Sequence, residues 1–269
     1  MGKIISFANQ KGGVGKTTTC VNTAAYLALL GYKTLLIDLD PQGNASSSYN
    51  IEKDKETLTI YDVFSKNKSV KDVIQKTEID NLDIIPATVD LAGAEIELAL
   101  MNLREKQLFN IINLIKQDYS FILIDCPPSL GLLTVNALTA SDSVLIPIQC
   151  EFYALEGLTQ LMNTIRLIKH HLNSTLDIEG VVMTMKDNRS NLTQEVSNEI
   201  KKFFGNRVFE TTIPRNIRLA EAPSHGEPIC TYDPSSKGAT AYMLLAKELL
   251  ARNSFAVETE EKRNIKRRK

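Results

Sequence analysis

At 269 residues, 43% of them hydrophobic and 23% charged, the chain has the length and composition of one large globular domain. No apolar run approaches the roughly 18 to 20 residues that cross a bilayer, and the first residues enter a strand-like pattern without a signal peptide. Six of the 31 Lys and Arg residues lie in the last eight positions, which leaves 25 against 32 acidic residues elsewhere. Any nucleic-acid binding must therefore come from a local basic patch or from this tail.

The predicted elements alternate between short apolar strands and helices. Apolar runs predict strands at 4–8, 33–38, 82–86, 121–125, 143–148 and 178–185. Helical periodicity predicts helices at 16–30, 91–100, 105–117, 132–140, 155–171, 192–204 and 239–252, and Gly31 is placed to end the first of them. This alternation predicts an α/β fold with a doubly wound, mostly parallel sheet and helices on both faces. We expect one domain over 1–253 and a charged, disordered tail over 254–269.

The cysteines indicate a reducing compartment. Cys20, Cys126, Cys150 and Cys230 are scattered, form no CxxC pair and have no His at ligand spacing. We therefore expect neither a disulfide framework nor a zinc site, and we expect a cytoplasmic location.

A glycine-rich loop separates the first strand from the first helix, with the sequence Lys11-Gly12-Gly13-Val14-Gly15-Lys16-Thr17-Thr18. Glycines let backbone N–H groups turn inward around phosphate oxygens, and the helix directs its N-terminal dipole at the same anion. Lys16 is placed to reach the β- and γ-phosphates, and the Thr17 hydroxyl to bind Mg²⁺. A glycine-rich turn without a ligand would not need Gly-Lys-Thr-Thr between a buried strand and a helix. The loop predicts a P-loop NTPase fold.

Acidic residues follow two of the predicted strands. Asp38 and Asp40 follow the second strand, and Asp125 closes the strand at 121–125. Because open α/β sheets bind ligands in the crevice at the carboxyl ends of their strands, Asp38 and Asp40 can both face that crevice. Asp38 has an equally good alternative as an internal partner for its own loop, and the sequence leaves both open.

Four further segments extend this pattern, at 38–44 (Asp-Leu-Asp-Pro-Gln-Gly-Asn), 124–129 (Ile-Asp-Cys-Pro-Pro-Ser), 150–157 (Cys-Glu-Phe-Tyr-Ala-Leu-Glu-Gly) and 213–224 (Ile-Pro-Arg-Asn-Ile-Arg-Leu-Ala-Glu-Ala-Pro-Ser). Together with KGGVGKTT, they resemble the deviant Walker A ATPases of the ParA/MinD group. The resemblance is closest to the chromosomal ParA branch, also called Soj, and it covers all of the chain but the tail.

The resemblance implies a role for each site residue. Lys11 is similar to the signature lysine that reaches the partner's nucleotide across an ATP-dependent sandwich dimer. Asp40 resembles the residue that positions the attacking water, and Asp125 a Walker B acid that holds Mg²⁺ through water. The predicted catalytic residues are Lys11, Lys16 and Asp40, the predicted metal ligands are Thr17, Asp40 and Asp125, and the predicted nucleotide contacts are Lys11, Gly12, Gly13, Val14, Gly15, Lys16, Thr17, Thr18, Pro214 and Asn216.

The expected nucleotide is ATP. A GTPase would show Asn/Thr-Lys-x-Asp after a late strand, whereas 184–187 reads Thr-Met-Lys-Asp with the order disturbed. By the resemblance, Pro214 and Asn216 lie where the family holds adenine. The expected cofactors are therefore ATP and Mg²⁺.

The expected partners also follow from the resemblance. The ParA branch binds double-stranded DNA non-specifically as a homodimer, and a ParB-like protein stimulates its hydrolysis, so we expect a nucleoid-associated protein. Arg189 and Arg218 match positions on the DNA surface, and Lys186, Lys201, Lys202, Arg207 and Arg215 are candidate extensions of it. The plain alternative for these cations is a solvated basic surface.

The sequence can be compared with the requirements of three other functions. A MinD-like membrane ATPase would need a C-terminal amphipathic helix, and the tail has no apolar stripe, so no membrane partner is expected. Iron–sulfur relatives of this fold need cluster cysteines that Cys126 and Cys150 do not supply. A regulator that binds ATP and a partner protein, but not DNA, is the main alternative.

Overall fold

The structure is built around one mostly parallel sheet. The computed structural model describes residues 2–54, 56–65, 68–151, 154–187 and 189–256, with the backbone alone for 154–156. Its strands, in chain order, are β1 (Lys3–Phe7), β2 (Thr34–Asp38), β3 (Gln75–Lys76), β4 (Leu82–Ile85), β5 (Phe121–Asp125), β6 (Ser143–Gln149) and β7 (Asp177–Thr184). They lie in the order β3-β4-β2-β5-β1-β6-β7. The β3–β4 pair is antiparallel and the other pairs are parallel.

Helices connect these strands across both faces of the sheet. They are α1 (Lys16–Leu29), α2 (Asn44–Ser47), α3 (Ile60–Ser65), α4 (Leu91–Ala99), α5 (Gln107–Asn113), α6 (Leu132–Ala140), α7 (Ala154–His171), α8 (Asn191–Phe204), α9 (Ile217–Glu221), α10 (Ile229–Tyr232) and α11 (Lys237–Arg252). Apart from 105–117, every helix and strand that the sequence predicted is present with ends within two residues of the predicted ones.

Alternate residues of the central strands enter two separate cores. In β5, Ile122 and Ile124 pack with α4 to α8 on one face, whereas Phe121 and Leu123 pack with α1 and α11 on the other. A strand covered on both faces is apolar at every position, which explains the unbroken apolar runs of the sequence. The predicted doubly wound α/β fold of P-loop NTPase type is confirmed.

The first helix ends at the predicted glycine. Gly31 has φ +92°, in the left-handed region that glycine adopts at little cost. Its N–H donates to Ala28 O (2.9 Å), and the next N–H, of Tyr32, donates to Leu27 O (3.1 Å). These two bonds form a Schellman motif, which turns the chain directly into β2.

The prediction of one helix over 105–117 is wrong. A 3₁₀ turn at Arg104–Lys106 precedes α5, and a second one at Lys116–Asp118 follows it. The Asn136 side chain of α6 accepts from Leu108 N (3.1 Å) and donates to Arg104 O (2.8 Å). These two groups would otherwise bond to each other in a continuous helix, so a tertiary contact replaces the helical bond.

The chain remains packed on the body slightly beyond residue 253. The Phe255 ring lies 4.7 Å from the Phe121 ring and 5.5 Å from the Tyr32 ring, centroid to centroid. Residues 257–269, most of the predicted tail, lie outside the described residues, so the division at 253 and 254 stays a prediction. Within the ranges described above, no helix combines the length and apolar character that crossing a bilayer requires.

Candidate nucleotide-binding site

The glycine-rich loop runs from the end of β1 to the start of α1. Gly13 and Gly15 have φ +73° and +81°, and Gly15 is the N-cap of the helix. Both angles lie in the left-handed region, so glycine at these positions allows the backbone to curl without strain. The free N–H groups of the first helical turn therefore open onto the concave side of the loop.

Two hydrogen bonds fix the loop to neighbouring strands, and a third lies within the loop. Asn9 donates through Nδ2 to Pro147 O in β6 (2.7 Å) and accepts from Lys11 N (3.0 Å) at Oδ1. The Thr184 hydroxyl, at the end of β7, donates to Val14 O (2.7 Å). The loop is therefore held in shape by the protein itself.

Lys16 is buried at the base of the loop. Its Nζ donates to Lys11 O at 3.2 Å. Burial lowers the pKa of Lys16, and the carboxylates of Asp125 and Asp40 partly oppose that shift. A buried ammonium with one acceptor within the described part of the chain has donors left for an anion, which is the property a phosphate site needs.

Two adjoining cavities open beside the loop. The first, of about 350 Å³, is polar and is lined by Gly12, Gly13, Gly15, Lys16, Thr17, Thr18, Asp40, Gln42, Asn44, Pro128 and Met185. The second, of about 290 Å³, is mostly apolar and is lined by Gly15, Thr18, Thr184, Met185, Ile213, Pro214, Arg215, Asn216, Ile217, Leu219, Ala220 and Tyr242. They share Gly15, Thr18 and Met185, so together they form one cleft with a polar and an apolar end.

The predicted nucleotide contacts divide between these two cavities. The loop residues line the polar one, except that Val14 is buried beneath the loop and Lys11 points elsewhere. Pro214 and Asn216 line the apolar one. Asn216 also caps α9, because its Oδ1 accepts from Arg218 N at 2.8 Å. Met185, with φ +48°, was missed by the sequence analysis, since a lone methionine after a strand has no motif to mark it.

Asp38 and Asp40 have different environments although both follow β2. Asp38 is fully buried and accepts from Ser46 N (2.8 Å), Ser46 Oγ (2.7 Å) and Asp40 N (3.2 Å). Burial raises the pKa of Asp38 to about 6 against the opposing effect of these hydrogen bonds. Asp40 lines the polar cavity, and its Oδ1 accepts from Gln42 N (2.9 Å). The internal role left open for Asp38 is the one that its contacts support.

Asp125 is a fully buried acid at the end of β5. Both carboxylate oxygens are enclosed and accept no hydrogen bond among the described residues. Burial, reinforced by the neighbouring Asp38, raises the pKa of Asp125 well above its usual range, and Thr17 and Lys16 oppose the shift. Such a group is costly for a ligand-free protein unless a cation neutralises it.

These residues fit Mg²⁺. The ion prefers oxygen ligands, keeps several waters and is commonly held by one or two protein groups together with phosphate oxygens. Thr17 lines the polar cavity, and it is near enough to Asp125 to lower the pKa of that carboxyl, which accepts no hydrogen bond in the described part of the chain. Asp40 approaches the same cavity from β2. The predicted ligand set is therefore gathered at one edge of the sheet.

An Asp125→Asn variant is expected to be more stable than the wild type without ligand at pH 8, by about 1–2 kcal/mol. Because folding raises the pKa of this carboxyl, the folded state binds its proton more tightly than the unfolded chain does. The free energy of unfolding is thus highest in acid and falls as pH rises through the unfolded pKa towards the folded one. Thermal unfolding measured at pH 5 and at pH 8 should show that the stability lost between these two pH values is smaller for Asp125→Asn than for the wild type.

Magnesium and ATP together should make the wild type more stable than Asp125→Asn. The wild type is expected to gain several degrees in melting temperature, and Asp125→Asn much less, because the neutral amide no longer attracts the cation. Asp83→Asn is the matched control, since Asp83 is also buried but is bonded to Tyr119 Oη (2.8 Å) and Lys76 Nζ (2.8 Å). The control should lose stability without ligand. Equal stabilisation of wild type and Asp125→Asn by Mg-ATP would contradict the metal assignment.

Lys11 lies away from both cavities. Its Nζ pairs with Glu151 Oε2 at 2.5 Å, and both side chains are partly exposed. Glu151 follows β6, so the pair ties the opening of the phosphate loop to a neighbouring strand end. No motif links these two residues in the sequence, where 140 positions separate them.

Arg189 and Arg218 are exposed and paired with acids. The Arg189 guanidinium donates to both oxygens of Asp187 (3.0 and 2.9 Å), which lowers the pKa of Asp187 to about 2. Arg218 pairs with Glu221 (2.9 Å) and Asp233 (3.4 Å). Both arginines lie near the apolar cavity, since Asp187 follows β7 and Arg218 is the second residue of α9, between Ile217 and Leu219 of the cavity lining.

Arg207 does not share that region. It pairs with Asp177, the first residue of β7, at 2.7 Å. Lys186 lies just past the other end of this eight-residue strand, roughly 25 Å away at the usual rise per residue. Arg207 is therefore distant from Lys186, and its contribution to a DNA surface stays a prediction.

Comparison with known proteins adds the family. Residues 2–178 match a family model described as an AAA domain. The chain is 59% identical over 251 residues to the sporulation initiation inhibitor protein Soj of Bacillus subtilis, which covers 93% of this chain and 99% of that protein. It is 50% identical over 254 residues to the chromosome partitioning protein ParA of Myxococcus xanthus, covering 94% and 90%. Its fold matches the structure of cobyrinic acid a,c-diamide synthase from Mycobacterium smegmatis with bound ADP and magnesium, with a TM-score of 0.83, 33% identity and coverage of 96% and 100%.

The site and the comparisons agree. A phosphate loop opened by a second lysine, two acids at the ends of β2 and β5, and a sheet of seven strands all occur in a chain that matches Soj and ParA along almost its whole length. The chain therefore belongs to the ParA/Soj family of chromosome-partitioning ATPases, within the ParA/MinD group.

Proposed function

We propose that this protein binds ATP with Mg²⁺, dimerises around two ATP molecules, and in that state binds DNA without sequence preference. Hydrolysis, stimulated by a ParB-like protein, then releases the dimer from DNA. The observation that carries the proposal is the single cleft beside the phosphate loop. Its polar end suits a triphosphate, and its apolar end, lined by Pro214 and Tyr242, suits a purine ring.

Hydrolysis would depend mainly on positioning and electrostatics. Lys16 holds the β- and γ-phosphate oxygens from below, while the loop amides orient them. Bound Mg²⁺ would neutralise charge that develops on the phosphates, and Thr17 and Asp125 are placed to hold it. The carboxylate of Asp40, fixed by Gln42 N, accepts a hydrogen bond from the attacking water and orients it.

Dimerisation would use Lys11. A cation supplied by the partner subunit offsets the γ-phosphate charge. The two subunits therefore associate when the bound nucleotide has a γ-phosphate. In the single subunit the Lys11 ammonium is held by Glu151, and this pair must open before Lys11 reaches across. An exposed pair of this kind contributes at most about 1 kcal/mol, which the negative charge of a triphosphate can offset.

DNA binding is proposed to need the dimer because each subunit offers little net positive charge. Arg189 and Arg218 are each paired with acids in the same subunit. The body of the chain is acidic overall. Dimerisation places two copies of the surface that contains Arg189 and Arg218 side by side. Two copies contact more DNA phosphates and release more counterions than one copy does. This gives ATP a physical means of controlling DNA affinity.

An Arg189→Glu variant is expected to lose DNA retention at low salt by at least tenfold, because it removes a phosphate contact and adds repulsion. ATP-dependent dimerisation should be unchanged. Retention on non-specific duplex DNA and size-exclusion chromatography with ATP and Mg²⁺ measure the two properties. Arg166→Glu is the control, since Arg166 lies beside Asp177 and Arg207, at the opposite end of β7. Unchanged retention by Arg189→Glu would remove that residue from the DNA surface.

The proposed role in partition is tested by the rate of ATP hydrolysis. The rate should be low for the protein alone and rise when duplex DNA and the ParB-like protein of the same organism are both present. In the cell, the ATP-bound form would associate with the nucleoid. Stimulation by the partner without any effect of DNA would favour the alternative of an ATP-dependent regulator that does not bind DNA.

A further inference from the structure

The turn that follows β2 is held at Gln42 by a lysine from the next loop. The Asp40 carboxylate accepts from Gln42 N (2.9 Å), and Gly43 N donates to Asp40 O (2.8 Å), so residues 40–43 form a tight turn. The Lys53 ammonium donates to Gln42 O at 3.0 Å. Gln42 is thus bonded to Asp40 through its N–H and to Lys53 through its carbonyl.

Lys53 also packs against Gly43. Gly43 has φ +61°, and a Cβ built on it would lie 2.8 Å from Lys53 Nζ, 2.9 Å from Lys53 Cε and 2.5 Å from Ala87 O. The Lys53 side chain and the backbone that follows β4 therefore cover the same side of Gly43. With both in place, the turn at 40–43 has little room to change its shape.

The loop that carries Lys53 is ordered by its own hydrogen bonds. Asp54 Oδ1 accepts from Glu56 N (3.0 Å) and Thr57 N (2.7 Å). The Thr57 hydroxyl lies within hydrogen-bonding distance of Asp54 Oδ1 (2.7 Å) and Glu52 O (2.9 Å). The loop is therefore closed on both sides of Lys53. Because its backbone is already ordered, the lysine forms its contact without the entropy cost of ordering the loop as well.

We propose that Lys53 is a positioning residue for ATP hydrolysis, which acts through Gln42 to keep the Asp40 carboxylate directed at the attacking water. The inference rests on the proposed role of Asp40 and adds the residue that fixes it. A group that reacts or orients a reactant depends on the hydrogen bonds behind it, and a displacement of about 1 Å can slow a reaction considerably. Lys53 contacts the turn rather than the reactants, so it affects the chemical step and leaves ATP binding intact.

A direct contact between Lys53 and the nucleotide is less consistent with its position. Lys16 is buried and lines the polar cavity, whereas Lys53 is exposed and lies outside the cavity lining. A lysine that is only solvated would direct its ammonium into water, and Lys53 instead directs it at Gln42 O. These contacts suit a residue that holds a turn.

The test compares Lys53→Met with Lys53→Arg in the full chain. Methionine keeps the apolar stem but has no donor, so kcat for ATP hydrolysis is expected to fall about five- to tenfold while KM for ATP stays unchanged. Arginine keeps a donor and should recover most of the lost rate. Lys71→Met is the matched control, because Lys71 is an exposed lysine of the 3₁₀ turn at Val70–Asp72. The control should hydrolyse ATP like the wild type.

Combined variants test whether Lys53 acts through Asp40. Asp54→Ala removes the acceptor that orders the loop around Lys53 and should lower kcat about threefold. In a Lys53→Met background it should lower kcat no further, because both changes disturb the same contact. Lys53→Met should likewise have no added effect once Asp40→Ala has removed the carboxylate that Lys53 positions.

The possible results separate this inference from the role of Asp40 on which it rests. If Lys53→Met and Asp40→Ala reduce kcat independently, Lys53 acts elsewhere and the inference is wrong. A raised KM with unchanged kcat also overturns it, since Lys53 would then bind the nucleotide. If Lys53→Met hydrolyses ATP like the wild type while Asp40→Ala does not, the inference alone fails. If Asp40→Ala itself hydrolyses ATP at the wild-type rate, the proposed role of Asp40 fails and this inference fails with it.

Discussion

A Lys16→Ala variant is expected to remain monomeric in ATP and to hydrolyse ATP at least about 100-fold more slowly than the wild type. The Lys16 ammonium is buried beneath the polar cavity, and Lys11 O is its one hydrogen-bond acceptor among the residues that the structure describes. Without it, the triphosphate would sit above Asp125 and Asp40 with less positive charge to offset them. The loss should therefore affect ATP binding itself, and dimerisation as a consequence.

Lys11→Ala is the informative comparison. Lys11 does not line the cavity, and its ammonium is held by Glu151. ATP affinity of the monomer should therefore change by only a few fold, while dimerisation and hydrolysis are lost. Binding of a fluorescent ATP analogue, measured beside chromatography with ATP and Mg²⁺, separates the two variants. If Lys16→Ala binds ATP as tightly as Lys11→Ala does, Lys16 is not the phosphate-binding lysine.

The strands and long helices could be predicted because burial requires apolar residues at regular spacings in the sequence. β5 is apolar at four consecutive positions because both of its faces are covered, and α11 repeats its buried residues with helical spacing. Short elements have no such recognisable spacing. α2, α9 and α10 have only four or five residues each, too few for a period, and contacts with the rest of the fold determine their positions.

The break in the helix predicted at 105–117 has the same origin. The residues there have helical spacing, but Asn136 bonds to the backbone groups of Arg104 and Leu108. A side chain 28 residues further along the chain thus decides where α5 begins. Local propensity contains no information about such a partner.

The candidate site was predicted best where its chemistry depends on consecutive residues. The phosphate loop is one uninterrupted segment, so glycine spacing and Lys16 identify it. Asp38 and Asp40 are two positions apart and both follow a predicted strand, so the sequence alone does not distinguish their roles. The contacts of Asp38 with Ser46 show that Asp38 is the internal acid and Asp40 the one at the cavity. The ion pair of Lys11 with Glu151 could not be predicted, because it depends on β6 lying beside β1.

An Asp40→Ala variant is expected to bind ATP and dimerise, but to hydrolyse ATP about 10²- to 10³-fold more slowly. Asp40 reaches the polar cavity from β2, and its carboxylate accepts a hydrogen bond from Gln42 N. Removing it deprives the attacking water of its acceptor while Lys16 and the loop amides still hold the phosphates. The dimer should therefore persist, and with it the retention on DNA that hydrolysis would normally end.

Two comparisons decide whether Asp40 acts on water or on the metal. If it binds Mg²⁺ directly, Asp40→Ala should need much more Mg²⁺ for ATP-dependent dimerisation. If it orients water, the Mg²⁺ requirement should stay within a few fold of the wild type while hydrolysis alone fails. Asp38→Asn serves as the control, because Asp38 bonds to Ser46 and should affect thermal stability more than turnover. An Asp40→Ala protein that stays monomeric with ATP would refute the role in water positioning, since a residue needed only for hydrolysis cannot be required for the step that precedes it.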